Sequence, residues 1–190
     1  FDYRHFGTSG GSPRQYIHPE EQIADFASAI AAVRERPEVD GSRLALWGSS
    51  MGAGHALIAA ARDKGVRALV LQAPLVDTSM EGEATRLGAW FGVKLVLSGW
   101  RDMLSRALGG EAYTVTSIGK AGDFALIADD AAYLAFEKLV SPGSTYRNAV
   151  AASSMFNFKR YNPIAQVAEL SIPILAVASR SDRFAPFAAV

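Results

Sequence analysis

The residues best suited to chemistry lie in the segment 46–54, which reads Leu-Trp-Gly-Ser-Ser-Met-Gly-Ala-Gly. Gly48, Ser50 and Gly52 fit the pattern Gly-x-Ser-x-Gly, in which a serine stands on a sharp turn between a strand and a helix. Side chains two residues to either side of the serine would collide in so tight a turn, which explains the glycines. The serine hydroxyl is then lifted to the helix N-terminus, where the Met51 N–H can face an oxyanion. The spacing predicts Ser50 as the nucleophile of an acyl-transfer reaction.

The flanking sequence supplies the strand and the helix that this turn requires. Arg43–Trp47 is a short apolar run typical of a buried strand, and a helical pattern extends from about Gly52 to Lys64, where Gly65 ends it. Ser49 does not lie centrally between the glycines, so it is the poorer nucleophile candidate.

Further strands and helices alternate around this segment. A helix begins at Pro19 and ends before Pro37, and the apolar run Arg67–Gln72 predicts a second buried strand. A further strand is predicted at Ile172–Ser179, entered through Pro173. Such alternation indicates an α/β fold with a mostly parallel sheet and helices on both of its faces.

A long stretch interrupts the alternation and predicts a second domain. Residues 75–170 are rich in alanine and mostly helical in pattern, and they are far too long for an ordinary connection between two strands. We therefore predict a helical cap over residues 75–170, inserted into a partial sheet domain of residues 1–74 and 171–190. The cap is rich in aromatic residues, of which most are expected in its core and a few against a substrate.

The composition excludes several classes of function. Among 190 residues, 19 are basic and 19 acidic, so no net charge attracts nucleic acid. Cysteine is absent and the three histidines are widely spaced, so we expect neither thiolate catalysis nor a metal site. No apolar run reaches the ~20 residues of a membrane span. We expect no cofactor, no nucleic acid and no membrane span, but a small molecule or peptide as substrate.

One alternative from another enzyme class uses the same glycines. Gly48, Gly52 and Gly54 also match the glycine pattern of short-chain dehydrogenases, in which Asp77 would bind a ribose hydroxyl. However, no tyrosine has a lysine four residues later, and a complete helix precedes the glycines. A phosphate-binding P-loop is excluded because no Gly-Lys-Ser/Thr occurs.

The beginning of the chain resembles a known family. Residues 2–11, Asp-Tyr-Arg-His-Phe-Gly-Thr-Ser-Gly-Gly, are similar to the loop that follows the fourth strand of many α/β-hydrolases. With Pro37–Asp40 and the serine turn, they resemble the branch that includes dienelactone-hydrolase-like and Xaa-Pro-peptidase-like proteins and fungal polyketide transferases. The resemblance covers about residues 1–80 and 165–190. It departs at His5, where the family usually has glycine.

The resemblance implies a serine–acid–histidine triad with the acid after the seventh strand. Asp182, between the strand ending at Ser179 and Pro186, resembles that acid. The alternative for Asp182 is that it is a solvent-exposed loop aspartate without a catalytic role. Asp77 is a second candidate for the acid, because some members of the family carry the acid after the sixth strand.

The triad's histidine is absent from the expected place. His55 stands five residues after Ser50 on the same helix, which points it away from the serine, so packing is its expected role, and His18 precedes a helix. His5 is a possible base, since the resemblance places its loop near the active site. The family histidine comes roughly two dozen residues after the acid, so we expect it beyond Val190.

These observations predict a serine hydrolase acting on an ester, lactone, thioester or amide through an acyl-serine intermediate. The alternatives are an acyltransferase of the same fold, the dehydrogenase and a catalytically inactive binding protein. A serine nucleophile argues against epoxide and haloalkane hydrolases, which use aspartate. Phe1 begins the chain in a pattern like a strand end, so we expect the natural N-terminus further upstream, and we favour a cytoplasmic location.

Overall fold

The fold was determined as a computed structural model that describes residues 1–76, 88–182 and 184–185. The described chain forms two compact units. The first contains Phe1–His18 and Met80–Lys159, and the second contains Pro19–Ser79 and Arg160–Val190. The cap boundaries expected from the sequence stay a prediction, but the loop 1–18 groups with the insertion in this division.

The second unit contains a three-stranded parallel sheet with the order β1-β2-β6. Its strands are β1 (Leu44–Ser49), β2 (Val66–Gln72) and β6 (Ile174–Val177). These strands confirm the prediction that three distant apolar runs are parallel neighbours in one sheet. Their carboxyl ends coincide, since Ser49 pairs with Gln72 and Gln72 pairs with Val177.

One helix packs directly against this sheet, and a second helix packs against the first. α2 (Met51–Arg62) packs against β1 and β2, and α1 (Pro19–Arg34) packs against α2. A short 3-10 helix, Ile164–Glu169, also contacts α2. The packing buries α2 from Ala53 to Ala61, because its alanines and glycine allow close approach on every side.

The opposite face of the sheet carries apolar side chains in the part of the chain that the structure describes. Trp47, Val70 and Leu175 align across the three strands. The residues Trp47 and Leu175 are 61% and 58% exposed.

The first unit is built from helices and a second small sheet. Its helices are α3 (Ala89–Ala107) and α4 (Asp130–Leu139). Its sheet has the order β4-β3-β5, formed by β3 (Thr114–Gly119), β4 (Ala125–Ala128) and β5 (Val150–Ala151), and a 3-10 helix, Ala152–Arg160, follows β5. These strands were not predicted from the sequence, which indicated a mostly helical insertion.

A buried carboxylate joins the elements of the first unit. The side chain of Asp102 on α3 is fully buried and accepts hydrogen bonds from the Tyr113 N–H at 2.9 Å, the Ser153 N–H at 3.0 Å and the Ser153 hydroxyl at 2.5 Å. Arg106, one turn later, approaches the same carboxylate at 3.4 Å. Leu95, Val115 and Ala152 form the apolar core beside it.

The aromatic residues of α3 divide between core and surface. Phe91 packs against Phe124 with ring centroids 5.2 Å apart, as expected for a core pair, whereas Trp90 and Trp100 are largely exposed. No helix in the described residues is long and apolar enough to cross a bilayer.

Candidate active site

Ser50 occupies the sharp turn between β1 and α2. Its backbone has φ 52° and ψ −124°, a left-handed conformation that is rare for a residue with a Cβ. The serine therefore stands on a sharp turn between a strand and a helix, as the spacing of the glycines predicts. Such strain costs roughly 1–3 kcal/mol and persists only where the surroundings enforce it.

Backbone hydrogen bonds from two elements enforce this conformation. The Ser50 N–H donates to the Gln72 carbonyl at 2.9 Å, at the end of β2. The Ser50 carbonyl accepts from Leu75 N–H at 3.1 Å and from Ala53 N–H at 3.0 Å. Both peptide groups of the serine are therefore fixed, one by the sheet and the other by the loop after β2 and the first turn of α2.

Gly48 is required by the close approach of the helix. A Cβ at this position would lie 2.6 Å from the carbonyl carbon of Gly52 and 2.7 Å from the Cα of Ala53. Both are backbone atoms of α2, which cannot move aside as a flexible side chain can. The turn closes as tightly as the Gly-x-Ser-x-Gly pattern predicts.

The Ser50 side chain is exposed and makes no capping hydrogen bond to the helix, so its hydroxyl is available to a substrate. Met51 is the first residue of α2, and the first N–H groups of a helix have no acceptor within it. No acidic residue lies in the first turn of α2, so the positive end of the helix dipole is uncompensated there. This arrangement suits a developing oxyanion beside the serine.

Asp182 follows β6 in the same unit. Its Oδ1 accepts hydrogen bonds from the backbone N–H groups of Phe184 and Ala185 at 2.8 and 2.9 Å, and its own N–H donates to the Ser179 carbonyl at 3.2 Å. The carboxylate is thus held by its own loop. The alternative acid, Asp77, lies outside the described residues.

His55 is fully buried in α2, in agreement with the packing role expected for it. Its Nε2 lies 3.0 Å from Gln22 Oε1, and its Nδ1 lies 2.9 Å from the Tyr161 hydroxyl. Burial lowers the pKa of the imidazole to about 4, because the apolar surroundings disfavour the charged form. His55 is therefore a neutral structural histidine. Tyr161 and Gln22 were not singled out in the sequence.

His5 lies in the first unit, in the loop whose family pattern has glycine at this position. Its φ is 74°, which explains the family's glycine, and its backbone bonds to Gly10 and Gln15 hold the loop closed. The ring is buried and packs edge-on against Tyr16, with centroids 5.6 Å apart. Gly11 leaves room for this ring, since a Cβ there would lie 2.7 Å from Nδ1.

Within the described residues, no three His, Asp or Glu side chains are grouped so that they could hold a metal ion.

The fold and the serine turn agree with the comparison with known families. The Hydrolase_4 family model, described as serine aminopeptidase, S33, matches residues 1–189. The chain belongs to this family of α/β-hydrolases. Membership confirms the resemblance seen in the sequence, and it favours a hydrolase over the dehydrogenase alternative.

The chain is similar to proteins with several different descriptions. The quorum-quenching protein AidA of Acinetobacter baumannii is 32% identical over 98% of this chain and 60% of its own length. The thiohydrolase apmlB of Arthrinium phaeospermum is 37% identical over 66% of this chain and 39% of its own. The crystal structure of the α/β-hydrolase GrgF from a Penicillium species superposes with a TM-score of 0.79 and 27% identity, over 99% of this chain and 63% of that one. The chain thus spans about 60% of the length of AidA.

Proposed function

We propose that the complete protein cleaves or transfers an acyl group through an acyl-serine intermediate on Ser50. The observation that carries the proposal is the strained, exposed serine at the N-terminus of α2, fixed from both sides by backbone hydrogen bonds. A left-handed serine costs stability, and such strain clusters at functional sites. An inactive binding protein would have no need of it.

In the proposed reaction the Ser50 oxygen attacks the acyl carbonyl carbon while a histidine takes its proton. The N–H of Met51 stabilises the oxyanion, and collapse breaks the bond to the leaving group, which receives the proton. The histidine next takes a proton from water or an acceptor alcohol, whose oxygen attacks the acyl carbon. The bond from the acyl carbon to the Ser50 oxygen then breaks, and that oxygen receives the proton from the histidine, which gives hydrolysis or acyl transfer. Gly48 and Gly52 permit the turn, and Asp182 orients the histidine.

We place the base on a histidine that follows Val190 in the complete protein. His55 is buried and engaged with Gln22 and Tyr161, which argues against it. AidA extends well beyond the length of this chain, which leaves room for such a residue. His5 is the alternative base, and Asp77 is the alternative acid.

An acyl thioester or ester is the substrate class we favour among the ester, lactone, thioester and amide alternatives. Relatives named thiohydrolase and polyketide transferase support a small acyl substrate with a thiol or alcohol as leaving group. An acyltransferase is the second candidate, supported by the polyketide transferase ATR5 of Stachybotrys chlorohalonatus, 28% identical over 95% of this chain.

The test is labelling by a fluorophosphonate probe, followed by mass spectrometry of the labelled peptide. The complete protein should be labelled at Ser50, and Ser50→Ala should lose both labelling and thioester hydrolysis, a loss on the order of a million-fold. Ser49→Ala is the matched control and should keep both. The 190-residue chain alone should label far more slowly. If the 190-residue chain and the complete protein are labelled at equal rates, His5 is the base. If Ser50→Ala retains thioester hydrolysis, the proposal is wrong.

A further inference from the structure

Three buried polar side chains form a series of hydrogen bonds that ends at the residue after Ser50. The Tyr161 hydroxyl lies 3.1 Å from the Met51 carbonyl and 2.9 Å from His55 Nδ1, and His55 Nε2 lies 3.0 Å from Gln22 Oε1. Gln22, His55 and Tyr161 are 2%, 0% and 5% exposed. These three polar side chains therefore link α1 through the middle of α2 to its first residue.

The polar groups of these three side chains are hydrogen-bonded to one another. The Tyr161 hydroxyl donates its single proton to the Met51 carbonyl, so the Nδ1–H of His55 donates to the Tyr161 oxygen. The Nε2 of the neutral imidazole is then an acceptor, and it accepts from the Gln22 side-chain amide turned with its NH2 group toward the ring. Burying such groups is costly unless they are hydrogen-bonded, so each side chain limits the movement of the next. Gln22 holds the ring of His55, and His55 holds the hydroxyl of Tyr161.

Tyr161 can reach the turn only because residue 54 is glycine. A Cβ at Gly54 would lie against the Tyr161 hydroxyl, 2.7 Å from the Leu75 carbonyl oxygen and 2.9 Å from Pro163 Cγ. The tyrosine thus fills the space over the second turn of α2, and its hydroxyl meets the carbonyl of the residue that follows Ser50.

We infer that Tyr161 is a positioning residue for the nucleophile, held in place by His55 and Gln22. The inference rests on the proposed role of Ser50. The N–H proposed to stabilise the oxyanion and the carbonyl bound by Tyr161 belong to one residue, Met51. Fixing that carbonyl restrains the orientation of the N–H, and it adds a side-chain contact to the backbone bonds that hold Ser50 in its strained conformation.

The test is Tyr161→Phe in the complete protein, assayed with an N-acetylcysteamine thioester. Phenylalanine keeps the ring packing and removes only the hydroxyl. We expect kcat to fall about tenfold while KM changes little, because a hydrogen bond that positions the transition state acts on kcat. Fluorophosphonate labelling of Ser50, corrected for the folded fraction, should slow by a similar factor. A purely structural tyrosine would lower the melting temperature without changing the rate per folded molecule.

The matched control is Tyr146→Phe, which removes a hydroxyl bonded to Asn148 in the other unit and should leave kcat unchanged. If Tyr161→Phe does not fold, Gln22→Met gives the second test. It leaves the Tyr161 hydroxyl in place but removes the partner of His55, and it should slow labelling several-fold. The inference is overturned if Tyr161→Phe folds and has the kcat and the labelling rate of the wild type. If only Gln22→Met folds, a labelling rate equal to that of the wild type overturns it. An active Ser50→Ala instead overturns the proposed function itself.

Discussion

The N–H of Ser50 donates a 2.9 Å hydrogen bond to the carbonyl of Gln72, the last residue of β2. The nucleophile candidate is therefore fixed to the strand beside its own, and not only to the helix that it precedes. Ala73 N–H in turn donates to the Val177 carbonyl at 2.7 Å, at the end of β6. Consecutive backbone bonds thus connect the serine turn with the end of β6, so the proposed nucleophile and acid both follow strands at the same end of one sheet.

Gly48→Ala should prevent the serine turn from closing. The new methyl group would meet the backbone of Gly52 and Ala53, which cannot move without displacing α2. We expect a loss of about 3 kcal/mol or more in the free energy of unfolding, measured by urea denaturation, together with loss of labelling at Ser50.

Gly92→Ala is the matched control for that substitution. Gly92 lies within α3, and no atom lies within 4 Å of a Cβ placed there. The same change should therefore stabilise the protein, by about 1 kcal/mol, because alanine favours the helix. A destabilised Gly92→Ala together with a harmless Gly48→Ala would contradict the steric argument.

Asp182→Asn should separate the charge of this residue from its structural role. The Oδ1 of Asn can still accept from the N–H groups of Phe184 and Ala185, so the loop and the stability should be retained. If Asp182 orients the catalytic histidine, thioester hydrolysis should fall on the order of 10⁴-fold through the wrong histidine tautomer.

Asp77→Asn provides the comparison for the acid assignment. It should keep activity if Asp182 is the acid. Inactive Asp77→Asn with active Asp182→Asn would exchange the two assignments.

Asp102→Asn should destabilise the first unit. Both carboxylate oxygens accept from N–H groups, so an amide nitrogen would face either the Tyr113 or the Ser153 donor. We expect a loss of about 3 kcal/mol, measured by denaturation. Glu38→Gln, which breaks an exposed ion pair with Arg36, should leave the denaturation midpoint unchanged. Equal effects of the two substitutions would show that the buried carboxylate has no special role.

The local sequence pattern is sufficient to predict the serine turn, but it does not predict the contact of Tyr161 and His55 next to that turn. Gly48, Ser50 and Gly52 act on one another within five residues, so their spacing carries the geometry. Tyr161 and His55 are 106 residues apart, and no local pattern reports such a contact. Gly54 is the local signal of that contact. In the sequence it fits a dinucleotide-binding glycine pattern, whereas in the structure it makes room for Tyr161.

The insertion was harder to predict for a different physical reason. Its β5 has only two residues, Val150–Ala151, and it pairs with Thr114 and Val115 across a long intervening chain. Strands this short show no clear alternation, and they form because neighbouring elements such as α3 support them. The alanine-rich helices therefore dominated the sequence pattern, and the sheet between them was missed.

The buried imidazole of His55 should make stability depend on pH between about 6.5 and 4. Its pKa is about 4 in the folded protein, against 6.5 for an exposed histidine. Above pH 6.5 both states are neutral, and His55 contributes no pH dependence. As the pH falls through this window, only the unfolded state binds the proton, so the free energy of unfolding should fall by as much as about 3 kcal/mol. Urea denaturation at a series of pH values measures this loss.

His55→Gln isolates the effect from the carboxylates, which titrate in both proteins. Glutamine keeps a donor and an acceptor toward Gln22 and Tyr161 but has no titrating group, so it should be less stable than wild type near neutral pH. Because only the wild type loses the His55 contribution, the stability difference between the two should narrow as the pH approaches 4. His18→Gln, which removes a half-buried histidine, should retain the pH dependence of the free energy of unfolding that is attributed to His55. A constant difference between wild type and His55→Gln across this range would mean that His55 is protonated as readily in the folded as in the unfolded protein, and its assignment as a neutral, buried histidine would be wrong.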